Sequence, residues 1–215
     1  MKSIFRFWRA GLLLAALGSA NAWAGCSPIV IDLGNDGIHL GEAGVGVYFD
    51  VNADGIRDHV QWVRRGGDEG FLALDRTGNG VVDDGAELFG VGTPLVLEGR
   101  SAPNGFVGLA QYDARQLGGN DDGLITEADA IWPLLRIWID LDADGVSTPQ
   151  EMRTLRSYGI TALETIPKIR KYYDAAGNVI PYWAWAMQRS RPGRVLMVDV
   201  FFRQLPKVSG TLSGT

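Results

Sequence analysis

The chain has few of the residues on which enzymes and disulfide scaffolds depend. Its 215 residues include one cysteine and two histidines. A single cysteine cannot close an internal disulfide, and His39 and His59 do not stand at the spacing of a metal-ligand pair. No serine lies in a recognisable nucleophile elbow. We therefore expect no enzyme, and a hydrolase is the least favoured of the functions considered.

Positive charge is also scarce. The chain has 20 Lys and Arg against 25 Asp and Glu, a formal net charge of −5. An acidic balance disfavours nucleic-acid binding and favours cations as ligands. With 46% hydrophobic residues, the chain is long enough to bury one core. We expect a single domain over residues 25–206 and a flexible tail over residues 207–215.

No apolar run reaches the roughly 20 residues that span a bilayer. Residues 1–24 instead have the three parts of a signal peptide, namely a basic start, an apolar stretch at 11–17 and a small-x-small cleavage site at 22–24. Loss of Lys2, Arg6 and Arg9 would take the net charge from −5 to −8. The sequence predicts export to the periplasm, the outer membrane or the medium.

Cys26 follows the predicted cleavage site closely. Residues 23–26 resemble a bacterial lipoprotein box, in which lipidation of the cysteine would tether the protein to a membrane. Trp23 departs from that pattern, where an aliphatic residue is usual. Ordinary cleavage after Ala24 and lipidation at Cys26 both stay open.

One short pattern recurs along the chain: an aspartate, alternating oxygen-bearing side chains, a glycine and an aliphatic residue. Its irregular spacing argues against a solenoid, whose repeats have constant length. Calcium takes about 6 to 8 oxygen ligands from such alternating positions, around a glycine bend. The pattern therefore predicts several calcium loops in one fold. The loops begin at Asp32, Asp50, Asp75, near Asn120, and at Asp140.

Residues 140–151 fit the EF-hand loop at every ligand position, with a helix predicted on each side. The alternative is an acidic turn with a helix cap, in which three clustered carboxylates would repel one another. The predicted ligands are Asp140, Asp142, Asp144, the Val146 carbonyl, Thr148 and Glu151.

Three further loops are less regular. The Asn120 loop has Gly118 where an aspartate is expected, and Asp113 is expected to fold back and supply the missing oxygen. In the Asp75 loop the closing acid, Glu87, comes one residue after the twelfth position at which an EF-hand loop has it. Each loop has a plain turn as its alternative. The predicted ligands are Asp50, Asn52, Asp54, the Ile56 carbonyl and Asp58 in the first loop, Asp75, Thr77, Asn79, Val81 and Asp83 in the second, and Asn120, Asp122 and Asp129 in the third.

The Asp32 loop lacks a ligand at Gly34, and a structural turn is favoured there.

The predicted fold is α+β: calcium-loop-bearing β hairpins over residues 25–103, a short helical EF-hand segment over 104–159, and β strands with a C-terminal hairpin over 160–206. Helices are expected from Asn104 as N-cap, over 127–139 with an interruption at Pro133, and over 149–158, where Thr148 and Glu151 form a capping box. Strands are expected at 29–31, 45–49, 60–63, 71–74, 160–163, 172–173, 179–187 and 195–202.

An aromatic strand gives the main rival function, a calcium-dependent carbohydrate- or protein-binding module at the cell surface. Trp183, Trp185 and Met187 alternate and so share one face of the strand, where burial is the simpler explanation. The basic residues around this hairpin form either a solvated face or an anion site. They are Lys168, Arg170, Lys171, Arg189, Arg191 and Arg194.

Most of the chain after the signal resembles a module of bacterial haemolysin-type (RTX) calcium-binding exoproteins. The block Glu87-Leu88-Phe89-Gly90 is the most specific part of this likeness. The resemblance implies calcium binding. It does not extend to pore formation, because the glycine-rich nonapeptide repeats of those toxins are absent. The segments that carry it are residues 28–33, 48–50, 71–75, 83–90, 104–106 and 140–151.

Overall fold

The computed structural model describes residues 27–189 and 193–207, and most of its regular structure is β. One short α-helix, α1, spans Gly105–Ala110. The strands of the described residues are β1 (Ile29–Asp32), β2 (Gly46–Phe49), β3 (Asp58–Gln61), β4 (Glu69–Leu74), β5 (Pro94–Leu95), β6 (Arg100–Ser101), β7 (Leu124–Thr126), β8 (Leu135–Trp138), β9 (Met152–Thr154), β10 (Ile160–Glu164), β11 (Lys168–Tyr173), β12 (Val179–Gln188) and β13 (Arg194–Phe201).

Nine of these strands form one antiparallel sheet that curls into a half-barrel. Its order is β7-β10-β12-β13-β1-β4-β8-β9, and β11 pairs with β12 on the same edge as β10. The pairs β2–β3 and β5–β6 are separate two-stranded hairpins. The long strands β12 and β13 therefore connect β10 and β11 on one side to β1 on the other.

A hydrophobic core lies on each face of the sheet, because successive side chains of a strand point to opposite faces. Ile29 and Ile31 of β1 pack on one face with α1, while Val30 packs on the other face with the β2–β3 hairpin. The second core is rich in aromatic rings, and Trp62 lies 4.7 Å from Phe71 between ring centroids. Hence both faces of the central strands are buried.

The predicted α+β fold with a helical EF-hand segment is wrong, because the fold is mostly β. The structure is 38% strand and 11% helical, and its described residues contain one short α-helix and no pair of helices around the Asp140 loop. The predicted helix at 127–139 is a 3-10 turn at Trp132–Leu134 followed by β8, and the one at 149–158 is β9 followed by a 3-10 turn at Leu155–Tyr158.

Pairing within the sheet explains this error. Pro133 cannot donate the backbone hydrogen bond that a helix interior needs, and β8 and β9 pair with each other through Ile137 and Arg153. Glu151 still accepts a hydrogen bond from the backbone N–H of Thr148 at 3.0 Å, as in a capping box. The chain then enters β9, since backbone pairing with β8 outweighs a weak local helix preference.

Several local predictions are confirmed. Asn104 caps α1, accepting the Val107 N–H at 2.9 Å. The Asp50 loop turns the β2–β3 hairpin. The predicted C-terminal hairpin is formed by β11 and β12, and in its turn the Asn178 N–H donates to Asp174 at 2.8 Å. The prediction of hairpins is wrong for two other loops. The Asp32 and Asp75 loops do not turn hairpins, since β1 pairs with β13 and β4, and β4 pairs with β8.

The predicted signal peptide, Cys26 and most of the C-terminal tail lie outside the described residues. Within the described part of the chain, no helix is both long and apolar enough to cross a membrane.

Candidate metal sites

Five acidic loops follow the same backbone path. In each loop the fourth residue has a φ between 52° and 76°, and the sixth is a glycine with a φ between 73° and 107°. Alanine fills the fourth position at Ala53 and Ala143, where a left-handed conformation costs about 1–2 kcal/mol. Such strain persists only where the surroundings impose it. The fourth and sixth residues are Asn35 and Gly37, Ala53 and Gly55, Gly78 and Gly80, Asp121 and Gly123, and Ala143 and Gly145.

The leading aspartate of each loop is fixed by backbone N–H groups of its own loop. The two oxygens of Asp140 accept from Asp144 N–H at 3.2 Å and Gly145 N–H at 2.8 Å. Asp50 accepts the equivalent bonds at 3.1 and 2.7 Å, and Asp75 at 3.2 and 2.8 Å. Each carboxylate is thus held over the bend that EF-hand loops wrap around calcium.

The Asp140 loop brings three carboxylates together. One oxygen from each of Asp140, Asp142 and Asp144 lies within 4.8 Å of the others. Burial raises the pKa of Asp140, against the opposing effect of its hydrogen bonds from Gly145 and the Trp62 indole. The Trp62 bond is 2.6 Å long and joins the loop to the second core. Close carboxylates repel one another unless a cation lies between them.

Glu151 closes the same loop, as its spacing predicts. One carboxylate oxygen accepts from Leu141 N–H at 3.2 Å, and the other accepts from the N–H and the hydroxyl of Thr148, both at 3.0 Å. Val146, the predicted carbonyl ligand, donates its N–H to Asp144 at 2.7 Å. The twelfth residue therefore reaches back to the start of the loop without a helix behind it.

The Asp75 loop is closed by Glu87, which is buried. One Glu87 oxygen accepts from Thr77 N–H at 2.9 Å, and the other accepts from Asp83 N–H at 2.9 Å. Asp83 in turn accepts from the Asn79 amide at 2.8 Å and from the Thr77 hydroxyl at 3.3 Å. The extra residue before Glu87 does not prevent closure. The N–H of Val81 donates to Asn79 at 3.1 Å.

The Asn120 loop takes its leading carboxylate from Asp113. The two Asp113 oxygens accept from Asp122 N–H at 3.1 Å and from Gly123 N–H at 2.8 Å, as Asp140 does in its own loop. The chain can fold back here because Gly119 has no Cβ. A Cβ at this position would lie 2.1 Å from the Asp113 carbonyl group. The expected fold-back of Asp113 is therefore present.

Asp129 closes the Asn120 loop. Its Oδ2 accepts from Thr126 N–H at 2.6 Å. Its Oδ1 is buried and has no hydrogen-bond partner among the described residues. Asn120 donates its amide to Asp122 at 2.9 Å. A buried carboxylate oxygen that accepts no hydrogen bond is unfavourable unless a cation or a water molecule contacts it.

The Asp50 loop is the least complete of the predicted sites. Asp58 belongs to β3 and accepts a hydrogen bond from the Gln204 amide at 3.2 Å. Asn52 donates to Asp54 at 3.0 Å, and Asp54 accepts from Ile56 N–H at 2.8 Å. A nearby acid that the sequence pattern did not single out is Asp84. Burial raises its pKa, and the charge of Asp50 adds to that rise.

A further carboxylate group was missed because its members come from two segments. Asp32, Asp36 and Asp68 place one oxygen each within 4.8 Å of one another. A Cβ at Gly34 would lie 1.5 Å from an Asp68 oxygen, so the missing side chain leaves space for this second segment. Glu69 lies opposite Asp32 in the β1–β4 pair, and burial raises its pKa. Spacing along the sequence gives no sign of Asp68.

The family of the chain follows from its match to a known domain. Residues 29–203, which contain all five loops, match the model of the SPM domain. This range is most of the chain, and the chain therefore belongs to the SPM domain family.

A named relative is the "Iron-regulated protein FrpA" of Neisseria meningitidis serogroup C, with 42% identity over 139 residues. That match covers 64% of this chain and 12% of FrpA, so the chain corresponds to a small part of the relative. The resemblance to haemolysin-type exoproteins stays a prediction.

Proposed function

We propose that the chain is an exported domain that binds several calcium ions in its acidic loops, and that these ions stabilise the fold. One observation carries this proposal: loops with different sequences share a left-handed fourth residue, a glycine bend and a fixed leading carboxylate. A plain turn does not require these features together. A calcium loop takes oxygens from alternate positions around a glycine bend at its sixth residue, which is the arrangement that these loops share.

The chemistry of the donors favours calcium over softer metals. The candidate ligands are carboxylate, amide, hydroxyl and carbonyl oxygens, which suit hard cations, whereas zinc and copper sites use histidine or cysteine. His59 bonds to the Pro206 carbonyl at 2.7 Å and stacks on Tyr48, so its known contacts lie elsewhere. Magnesium demands a tighter octahedral arrangement and usually keeps several waters. The long loops with up to six candidate oxygens fit calcium better.

The positions of the loops support a stabilising role. The Asp140 loop joins β8 to β9 and bonds to Trp62 in the second core. The Asp75 loop follows β4, and its closing residue Glu87 is buried beside that strand, where its backbone carbonyl accepts a hydrogen bond from the Leu74 N–H at 2.8 Å. Ion binding would therefore fix the ends of central strands.

The name of the relative FrpA reports regulation by iron and states no ligand. The name therefore favours no particular bound ion. The proposed export is supported by the sequence of residues 1–24 alone. Calcium is the ion that the loops themselves favour.

Terbium luminescence tests the Asp140 site directly. Terbium has the size and oxygen preference of calcium, and it emits when a nearby indole is excited. Because the Trp62 indole bonds to Asp140, we expect sensitised emission that calcium displaces. Asp140→Asn with Glu151→Gln, and separately Trp62→Phe, should lower the emission.

Trp185→Phe is the matched control. The Trp185 ring lies under Arg194 of β13, and within the described part of the chain the backbone N–H of Trp185 donates to Glu164 of β10 and not to an acidic loop. It should leave the emission unchanged. Emission that calcium does not displace, or that survives the loss of Asp140 and Glu151 at full strength, would contradict the assignment.

A further inference from the structure

Strand β11 is exposed at all six of its positions. Among the described residues it pairs only with β12. Ile169 is 78% exposed, and Ile166, just before the strand, is 75% exposed. Tyr172 and Tyr173 are exposed as well. Large apolar side chains that protrude together from an edge of a domain mark a contact surface more often than isolated exposed ones do.

The same strand concentrates positive charge on an acidic protein. Lys168, Arg170 and Lys171 belong to β11, whereas the whole chain has a net charge of −5. None of these cations takes part in an ion pair within the described part of the chain. Lys168 lies 4.8 Å from the Trp183 ring and Lys171 lies 5.2 Å from the Tyr173 ring. These cations are therefore available to an anionic partner.

Large apolar side chains occur on both faces of the strand. Lys168 is opposite Trp183, and Tyr172 is opposite Ile180, on the face of the second core. Ile169 is opposite Tyr182, which packs on the first core. A rigid partner laid on one face would leave the other uncovered. A fluid partner can cover both faces at once.

We propose that Ile166 and strand β11 bind edge-on to a bilayer surface that contains acidic lipids. Lysine and arginine are attracted to acidic headgroups, while their alkyl stems and the tyrosine rings suit the region between headgroups and acyl chains. The isoleucines favour a lipid partner over nucleic acid, because phosphates reward cations but not exposed aliphatic groups. None of the predicted calcium ligands belongs to this edge, so the binding is separate from the proposed function.

Vesicle co-sedimentation tests this proposal on the whole mature chain in calcium. We expect binding to vesicles of phosphatidylcholine with phosphatidylglycerol and little binding to phosphatidylcholine alone. Each cation near an acidic leaflet contributes about fivefold. Replacing Lys168, Arg170 and Lys171 together with alanine should weaken binding by about 100-fold. Ile166→Ser with Ile169→Ser should weaken it while leaving its salt dependence unchanged.

The matched control removes three exposed arginines elsewhere: Arg100→Ala, Arg115→Ala and Arg156→Ala. It makes the same change in net charge and should keep vesicle binding. Equal loss in the control, equal binding to neutral vesicles, or binding to a soluble polyanion that the serine variant leaves intact would each overturn the proposal. Near-ultraviolet circular dichroism confirms that each variant is folded.

Discussion

Asp199 is a fully buried carboxyl in the middle of β13. Its Oδ2 accepts the Gly105 N–H at 2.8 Å and so fixes the start of α1 against the sheet. Burial raises the pKa of Asp199 to about 7, against the opposing effect of that hydrogen bond. At pH values between 3.8 and about 7 the folded chain therefore holds a proton that the unfolded chain has released.

This difference gives a pH dependence with a definite sign. The contribution of Asp199 to stability is fully present below its unfolded pKa of 3.8 and is lost as pH rises through about 7. The loss is roughly 4 kcal/mol across that window. We expect Asp199→Asn to remove much of this decline, as urea unfolding at the two ends of the window would measure.

Glu98→Gln, a change at an exposed ion pair, is the control and should follow the wild-type profile. An Asp199→Asn profile that declines as steeply as the wild type would show that another group is responsible.

Single residues also show why part of the site could be predicted. Asp140 and Gly145 are tied by a hydrogen bond within one loop, so their spacing along the sequence reports their geometry. Asp113 lies outside the regular spacing of its loop. Its role as a ligand was expected only because Gly118 stands where an aspartate is usual. Asp68 comes from a separate segment, and Asp84 lies in a segment that carries the family resemblance but has no predicted role as a ligand. Long-range partners such as these leave no periodic signal.

At the scale of elements, strands were predicted better than helices. β1, β4, β12 and β13 lie close to their predicted bounds because buried central strands are short apolar runs. The segments at β8 and β9 carry local helix signals, including the capping box at Thr148 and Glu151. Pairing between these strands decides their structure, and pairing partners cannot be derived from a local pattern.

Helix α1 gives a test of local capping. Asn104 accepts the Val107 N–H at 2.9 Å, and an N-cap contributes about 1 kcal/mol. Asn104→Ala should lower the free energy of unfolding by about that amount, whereas Asn104→Asp, which keeps an acceptor, should lose less. Urea denaturation measures both. Equal losses would mean that the side chain acts through some other contact.

At the scale of the whole molecule, the acidic loops and the sheet depend on each other. The Asp140 loop joins two strands of the curled sheet, the Asp75 loop follows one, and the Asp50 loop turns the β2–β3 hairpin. Their leading carboxylates are fixed by backbone hydrogen bonds of the folded loops. An ion held there binds the folded chain and not the unfolded one. Binding of that kind stabilises the fold through mass action.

The magnitude of this effect can be estimated. With calcium at about ten times the dissociation constant, each loop adds about 1.4 kcal/mol. Three loops add about 4 kcal/mol, a large part of the 5–15 kcal/mol that stabilises a typical domain. For a chain of this length each kcal/mol raises the melting temperature by about 2–4 °C.

Thermal unfolding in calcium and in chelator is the measurement that tests this account most directly. We expect the melting temperature to be about 10 °C higher in calcium. Asp140→Asn with Glu151→Gln should reduce that difference, while Glu42→Gln, an exposed acid outside the predicted ligand set, should leave it unchanged. Identical melting temperatures in calcium and in chelator would contradict the account.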